Sequence, residues 1–433
     1  MKKLPKNKVF MLIFLIIMII GGIFFIPSIP SVYLWGKDLK KPRKGTRNYE
    51  FNGTMSREVL ESYLSRSITY TRLLDKKFLE GWAQGDLNDS IRFISNIGAK
   101  FIGRVIFRWG SEKQLPSIIN DAKKIAERIH NIDPEIILQA CNFEIVTQEV
   151  NFIPIPGWIF EEFNLMSVER NFSYADMYEV GGNHEDYWGK DTAVPDMSKL
   201  ETKMWFLYLA ATYIDIGIEA IHFGQVELMS KNDPDHTHWR DMLSRVRSYA
   251  QDNARRHMVI CDAHTPTGGY VNDGKLMFDF HSFPQRPEEI VDYPQKAQLT
   301  VDHLDAIYKK SKGGITPSGW ACKSLPYLVE FDNFGISDTP GENTGDHMIW
   351  GYDEITWYAH QSEEYRNDYL RYVVNWLEEN DPNGFLQMPG SRPLAETING
   401  ATFYFANSQS ENMTYGFNQE KAIKNIWENM PQF

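Results

Sequence analysis

The stretch of residues 100–141, KFIGRVIFRWGSEKQLPSIINDAKKIAERIHNIDPEIILQAC, contains two apolar runs separated by a helical pattern. Its two ends, Lys100–Phe107 and Ile136–Cys141, are short apolar runs of the kind that form buried strands. Between them, Leu115–Ile132 carries apolar residues every three or four positions, which is typical of a helix with one buried face. Strand, helix and strand in this order predict a crossover unit with two parallel strands.

The same alternation continues on both sides of this unit. Six further apolar runs predict strands, and they are Ser67–Thr71, Ala220–Phe223, His257–Cys261, Leu276–Phe280, Tyr327–Val329 and Gly384–Gln387. Helical patterns fill most of the gaps, notably Trp239–Ala254 and Glu354–Glu379. Eight strands that alternate with helices predict a (β/α)8 TIM barrel, with an open doubly wound sheet as the alternative. No glycine-rich phosphate loop follows the first strand, which argues against nucleotide binding.

A long insertion follows the third predicted strand. Residues 145–198 are too many for an ordinary connection between a strand and a helix, and they are rich in Trp, Tyr and Phe. Long loops on this face of a barrel usually carry function. The alternative is a small subdomain whose aromatic residues fill a core of its own.

The amino terminus predicts a membrane anchor. Residues 1–8 carry four lysines, and residues 9–26 are uncharged and apolar. At ~1.5 Å per residue this apolar run approaches the ~30 Å thickness of the hydrocarbon layer. We therefore expect a cytoplasmic basic leader, a transmembrane anchor or uncleaved signal, a linker over residues 27–60, and a catalytic barrel over residues 61–433. The barrel would lie outside the cell, or be secreted if the anchor is cleaved.

Composition excludes several classes of protein. With 42% hydrophobic and 14% aromatic residues among 433, the chain can bury a large core, and disorder is excluded. Its 45 basic and 57 acidic residues give a net charge of -12, which argues against a nucleic-acid partner. Cys141, Cys261 and Cys322 are too scattered for a disulfide framework or a zinc cluster, and we interpret them as buried thiols. Neither a cofactor nor a protein partner is indicated.

Polar side chains recur where the predicted strands end. In a barrel these carboxyl ends meet at one face, and residues i and i+2 point to the same side of a strand. Pairs at this spacing follow strands three to seven, and they are Asn142 and Glu144, Gln225 and Glu227, Asp262 and His264, Asp279 and His281, and Glu330 and Asp332. Arg104 and Arg108 lie on or just past strand two, and Arg392 follows strand eight. Charged groups that converge on a barrel mouth are costly unless they are hydrogen-bonded or used, so this pattern predicts a functional site.

Two of these carboxyl groups suit the hydrolysis of a glycoside. That reaction needs one acid for the leaving oxygen and one carboxylate that acts as nucleophile or as base for water. Glu227 and Glu330 end strands four and seven, which lie across the mouth from each other, so a sugar would fit between them. Trp109 and Trp188 would stack on the apolar faces of sugar rings. We expect the remaining strand-end residues to bind the hydroxyl groups of the substrate.

In placing glutamates at the ends of strands four and seven, the chain resembles the large clan of retaining glycoside hydrolases that have a (β/α)8 barrel. The resemblance covers roughly residues 66–392. It implies that Glu227 is the acid/base and Glu330 the nucleophile, with Arg104 or Arg108 orienting the nucleophile.

Two other functions remain open from the sequence. Asp262, His264, Asp279 and His281 are good metal ligands on neighbouring strands and would suit a metal-dependent barrel hydrolase. However, residues 67–74 lack the His-x-His pair that hydrolases of the amidohydrolase type carry on strand one. The other alternative is a non-catalytic carbohydrate-binding protein of the cell surface, which would keep the aromatic residues and lose one carboxylate from productive geometry. The sequence favours an extracellular glycoside hydrolase that acts on an oligo- or polysaccharide.

Overall fold

The computed structural model describes residues 47–181, 184–336 and 351–429. The predicted leader and anchor, residues 1–26, lie outside this part of the chain, as does the linker up to residue 46. Among the described residues, no helix combines the length and the apolar character needed to cross a bilayer.

Eight parallel strands form the central sheet. In chain order they are β1 Ser67–Tyr70, β2 Phe101–Ile106, β3 Ile137–Cys141, β4 Ala220–Gln225, β5 Ile260–His264, β6 His281–Pro284, β7 Tyr327–Glu330 and β8 Gly384–Leu386. Each strand pairs with the next. After Gln387 the chain continues as β9, Met388–Ile398, which pairs in parallel with β1 and then antiparallel with β10, Ala401–Phe405. The sheet therefore curls back on its first strand, and this mixed sheet fits the predicted α/β barrel.

Helices surround most of the sheet. They are α1 Arg57–Leu64, α2 Lys76–Glu80, α3 Leu87–Ile97, α4 Leu115–Ile132, α5 Gly157–Glu162, α6 Leu200–Ile214, α7 Val226–Met229, α8 Thr237–Asn253, α9 Glu354–His360, α10 Glu363–Asn380 and α11 Glu420–Asn429. Short 3-10 turns occupy Glu112–Gln114, Gln148–Phe152 and Tyr174–Asp176. The segment 265–326, which is described throughout, contains no helix.

That helix-free segment carries small sheets instead. Val271–Asn272, Lys275–Leu276, Gly314–Ile315 and Ala321–Cys322 form a four-stranded sheet. Glu288–Ile290 and Tyr293–Gln298 form a separate hairpin.

The structure shows the long insertion between β3 and α6. Besides α5 and two of the 3-10 turns, the insertion contains the paired strands Val146–Thr147 and Thr192–Ala193.

The predicted position of strand six is wrong. Leu276 belongs to the small sheet, and β6 begins only at His281. The run Leu276–Phe280 is apolar for another reason, because Phe278 packs against Trp239 and Phe280 against Phe101. Strand five is shifted in the same direction, since β5 starts at Ile260 rather than at His257.

The amino-terminal end of the barrel is apolar and closed. One buried cluster contains residues at or near the start of seven strands, namely Phe101, Ile137, Ala220, Ile260, Phe280, Leu328 and Phe385. Leu60 and Tyr63 of α1 belong to the same cluster, and the rings of Tyr49 and Phe51 pack edge-on against Tyr63. Within the predicted linker, Tyr49, Phe51, Met55 and Val59 also contact this cluster.

We expect Leu60→Ala to destabilise the protein by about 2–5 kcal/mol, since the Leu60 side chain is only 2% exposed in this cluster. Urea unfolding would measure the change in the free energy of unfolding. Met166→Ala is the control, because Met166 is 86% exposed and its loss should stay within about 0.5 kcal/mol. Equal effects of the two substitutions would show that α1 is not part of the barrel core.

Candidate functional site

A buried carboxylate occupies the barrel mouth, the face formed by the carboxyl ends of the strands. Glu330 ends β7 and is 1% exposed. Arg104 donates through Nε to Glu330 Oε2 at 2.9 Å and through Nη2 to Oε1, and Arg392 Nη1 donates to Oε2 at 3.1 Å. His264 Nε2 lies 2.9 Å from Oε1. Four donors from β2, β5 and β9 therefore converge on one side chain.

These donors keep Glu330 ionised. Burial by itself would raise the pKa of the Glu330 carboxyl, but the charges of Arg104 and Arg392 and the hydrogen bond to His264 outweigh it. The pKa is held well below its usual range. Because an ionised carboxylate only accepts hydrogen bonds, Nε2 of His264 carries the proton in this contact.

A β-bulge aims Arg104 at this carboxylate. Gly103 faces the barrel interior, where an added Cβ would lie 2.4 Å from Gln387 Nε2, so regular alternation would turn Arg104 outward. Arg104 instead has φ +61°, and the pairing of β2 with β3 shifts register between Ile102 and Ile106. Bulges of this kind redirect side chains beside functional sites, and a left-handed conformation in a residue other than glycine persists only where surrounding contacts hold it.

A second polar layer lies beneath Glu330. Asp262 Oδ1 accepts from Gln139 Nε2 at 2.7 Å, and its Oδ2 accepts from the Ser282 hydroxyl at 2.7 Å and contacts His222 Nδ1 at 2.8 Å. Burial lowers the pKa of His222, so the ring is neutral, with its proton on Nδ1 towards Asp262. The His222 ring lies 4.7 Å from the ring of His264, which links the two layers.

An aromatic wall flanks the two layers. The rings of Phe107 and Phe143 lie 4.7 Å apart, and the Arg104 guanidinium lies over both. Trp109 packs edge-on against Phe143 at 5.5 Å and against Trp188 at 5.2 Å. The structure thus brings together the two tryptophans that were predicted from different segments, and it sets them beside the charged centre.

Charged residues extend the site along β7 and β9. Asp332 Oδ2 accepts from Arg286 Nη1 at 3.1 Å, and Arg392 Nη2 lies 3.6 Å from Asp332 Oδ1. Burial opposes ionisation, but the two guanidinium groups lower the pKa of Asp332. Arg392 also donates to Asn333 Oδ1, so its position is fixed from three sides.

Gln225, the first residue of the pair predicted after β4, ends that strand in register with His264 of β5. Glu144 accepts from the backbone N and from Nε2 of Gln225, both at 2.9 Å. Glu227, in the short helix α7, accepts from the backbone N and the hydroxyl of Thr267 through Oε1. It lines a cavity of about 220 Å³ with Tyr178 and His184 of the insertion.

Arg108 and Asn142 make their hydrogen bonds away from Glu330. Arg108 donates to Ser111 O and to Gln114 Oε1 at the periphery of β2. Asn142 donates to Phe206 O of α6.

The predicted placement of Asp279 and His281 at the carboxyl end of strand six is wrong. Because β6 starts at His281, both lie at its amino-terminal end, whereas His264 and Glu330 lie at carboxyl ends. Asp279 is bound by Arg247 of α8 and by the backbone N of Cys261. Of the predicted metal ligands, His264 therefore lies at the carboxyl end of β5 and Asp262 in the middle of that strand, whereas Asp279 and His281 lie at the amino-terminal end of β6. Among residues 47–181, 184–336 and 351–429, no group of three His, Cys, Asp or Glu side chains is arranged to hold a metal ion.

The site also contains residues that were not predicted from the sequence. Gln139, His222 and Ser282 surround Asp262, and Phe143 belongs to the aromatic wall. Gln139 and His222 could have been predicted from the sequence. Each is a polar residue inside an apolar strand, two positions before another residue that faces the barrel interior. Ser282 could not be found in this way while strand six was misplaced.

The chain matches no family model and no curated protein. Among solved structures, it is similar to a GH27 β-L-arabinopyranosidase from Geobacillus stearothermophilus, at 11% identity over 90% of this chain and 71% of that chain, with a TM-score of 0.33. It is also similar to an acarbose-soaked debranching enzyme from Nostoc punctiforme, at 10% identity over 85% and 82% of the two chains, with a TM-score of 0.43. A β-D-glucuronidase from Dictyoglomus thermophilum matches at 12% identity over 80% and 47%, with a TM-score of 0.36. Because these TM-scores are under 0.5, we infer nothing about function from the similarities. The function is inferred from the residues of this chain alone.

We expect Glu330 to make stability fall in acid. Its folded-state pKa lies below the ordinary value of about 4.3, so the unfolded chain takes up a proton first and acid favours unfolding. The stabilisation is present above about pH 4.3 and is lost as the pH falls through the folded-state pKa. Glu330→Gln should lower the free energy of unfolding by about 3–5 kcal/mol at neutral pH, because two buried guanidinium groups lose their partner. Its stability should nevertheless vary less with pH than that of the wild type below about pH 4.3.

Urea unfolding between neutral pH and about pH 3 would measure both effects. The exposed Glu411→Gln is the control and should reproduce the acid dependence of the wild type. If Glu330→Gln lost as much stability in acid as the wild type, Glu330 would not be the group responsible.

Proposed function

We propose that the protein is a glycoside hydrolase that cleaves an oligo- or polysaccharide, with Glu330 and Glu227 as its two carboxyl groups. The observation that carries this proposal is the ionised Glu330 carboxylate at the barrel mouth, next to a wall of aromatic rings. Sugar rings present apolar C–H faces and polar edges, and the mouth offers aromatic faces and charged hydrogen-bonding groups side by side.

Glu330 suits the role of the nucleophile. In a retaining reaction one of its oxygens would form a bond to the anomeric carbon while the glycosidic C–O bond breaks. Its low pKa keeps the electron pair free at neutral pH, and Arg104 and His264 fix its orientation. One of the four donors must give way as the carboxylate oxygen approaches the sugar.

Glu227 suits the role of the acid/base. Among the described residues only Thr267 donates to its carboxyl group, and the donation is to Oε1, so Oε2 remains free for proton transfer. It would protonate the leaving oxygen and then deprotonate the water that releases the sugar from Glu330. The neighbouring cavity, with Tyr178 and His184, would receive the leaving group.

A second candidate function is carbohydrate binding without catalysis. It is favoured by the complete set of hydrogen bonds on Glu330, since a carboxylate with four donors is already satisfied without a substrate.

We expect Glu330→Gln and Glu227→Gln each to lower turnover by about 10³-fold or more, because each removes a group that takes part in bond making or proton transfer. The measurement is hydrolysis of a panel of aryl glycosides and polysaccharides by the detergent-solubilised full chain, with and without EDTA. Glu411→Gln is the control and should keep full activity.

Three results would contradict this mechanism. If activity survived Glu330→Gln, Glu330 would not be the nucleophile. If activity were lost in EDTA, the result would indicate metal-assisted hydrolysis. Sugar binding without hydrolysis of any substrate would favour the non-catalytic candidate.

We also propose that residues 9–26 anchor the protein in the membrane with the barrel outside the cell, because a basic leader precedes an uncharged apolar run. In intact cells, a membrane-impermeant amine reagent should label the barrel, and the protein should sediment with membranes. Labelling only after the cells are lysed would contradict this orientation.

A further inference from the structure

A second aromatic surface lies outside the site, in a groove between α2 and the first half of α4. Trp82 stands at its edge with 57% of its side chain exposed. The groove has a volume of about 470 Å³ and is lined by Trp82, Phe78, Arg72, Lys77, Gln114 and Ser117 among others. This volume is within the ≈300–1,000 Å³ range of ligand sites.

The exposed ring of Trp82 is held in place. It packs against Phe78 at 5.3 Å and edge-on against Phe403 at 5.3 Å. The backbone oxygen of Trp82 accepts from the Thr402 hydroxyl at 2.9 Å, which ties the segment to β10. An exposed tryptophan fixed in this way presents its apolar surface to solvent at little cost in side-chain entropy.

The rim of the groove is polar and locally basic. Arg72, Lys76 and Lys77 line it against Asp75 and Asp121, although the whole chain has a net charge of -12. Asp75 is already bound, since it caps α2 through Phe78 N and pairs with Arg72 at 3.0 Å. Asp121 lies 3.7 Å from Lys124.

The guanidinium of Arg72 is not fully used. It stacks on the Phe78 ring at 3.4 Å, and Nη2 donates to Asp75, but its buried Nε has no acceptor among the described residues. A buried donor without a partner costs about 1–3 kcal/mol unless a ligand or water supplies the acceptor. The groove therefore combines an apolar platform with the exposed ammonium group of Lys77 and with a guanidinium that keeps one donor without an acceptor among the described residues.

We propose that the Trp82 groove binds a polysaccharide strand that carries carboxylate groups, such as a polyuronate. The strand would stack a sugar ring on Trp82, while its carboxylates pair with Arg72 and Lys77 and its hydroxyls bind Gln114 and Ser117. The groove lies at the same end of the barrel as Glu330, because it follows the carboxyl ends of β1 and β2. It would hold the polymer near the mouth, and in this respect the inference rests on the proposed function.

The first experiment measures binding in the full-length Glu227→Gln protein, so that the polymer is not degraded and the buried contacts of Glu330 are kept. The probes are polygalacturonate and the neutral polymer hydroxyethylcellulose, with affinity electrophoresis as the readout. Trp82→Ala should weaken binding of polygalacturonate by about tenfold or more, and Lys77→Gln should weaken it by a smaller factor that disappears at high salt. Ile132→Ala, at the far end of α4 and 50% exposed, and the exposed Lys421→Gln are the matched controls and should bind as the parent does.

The second experiment separates the groove from catalysis. In the chain with Glu227 and Glu330 both intact, Trp82→Ala should leave turnover of short aryl glycosides unchanged and raise KM only for the polymer. Circular dichroism would confirm that the variant is folded.

The outcomes that overturn the groove differ from those that overturn the hydrolase. Unchanged polygalacturonate binding in Trp82→Ala, or equal Trp82-dependent binding of the neutral polymer, would overturn the groove while glycoside cleavage stands. If the chain cleaved no glycoside but still bound polygalacturonate in a way that depends on Trp82, the proposed groove would stand. The proposed hydrolase activity would then be wrong.

Discussion

A buried carboxylate between two guanidinium groups and an imidazole sets the geometry of the barrel mouth. The free-energy cost of removing the Glu330 carboxylate from water is offset only if its partners lie at hydrogen-bonding distance. Those partners come from β2, β5 and β9. The bulge that turns Arg104 inward is the local cost of this arrangement. The aromatic wall depends on it too, because Phe107 and Phe143 pack under the same guanidinium.

The barrel interior changes in character from one end to the other. At the amino-terminal end it is a hydrophobic cluster closed by α1, whose burial contributes to stability. In the middle, Asp262 and its partners form a hydrogen-bonded layer that fixes the orientation of His222. At the mouth the interior is charged. Buried charges also occur at the amino-terminal end, where Glu219 pairs with Arg255 and Arg256, but the charged groups around Glu330 are the ones that lie where a substrate would bind.

Much of this architecture could be predicted from the sequence, because buried parallel strands and amphipathic helices have distinct periodicities. Seven of the eight predicted strands overlap the observed ones, and the polar residues after them led to Glu330, His264 and Arg392. The failure at strand six has a physical reason. Phe278 and Phe280 are buried by tertiary contacts before the strand begins, and Asp279 and His281 have the same spacing as true strand-end pairs. The bulge at Arg104 had a local signal in Gly103, an isolated glycine inside the predicted strand, but its partner Glu330 is distant in sequence and could not be read from that signal.

The helix-free segment 265–326 bears on the order in which the chain can fold. The connections before β6 and between β6 and β7 contain no helix, and the cover on this side comes from α10, which follows β7, and from the residue after it. Tyr369 Oη donates to Gln285 Oε1, Leu299 N donates to Tyr372 Oη, and Tyr327 Oη donates to Asp381. These contacts join residues that are far apart in sequence, whereas β1 to β5 are linked through helices that lie between them. During synthesis the first half of the barrel can pack as it emerges, but β6 and β7 must wait for α10, and until then their outer faces remain open to solvent and to chaperones.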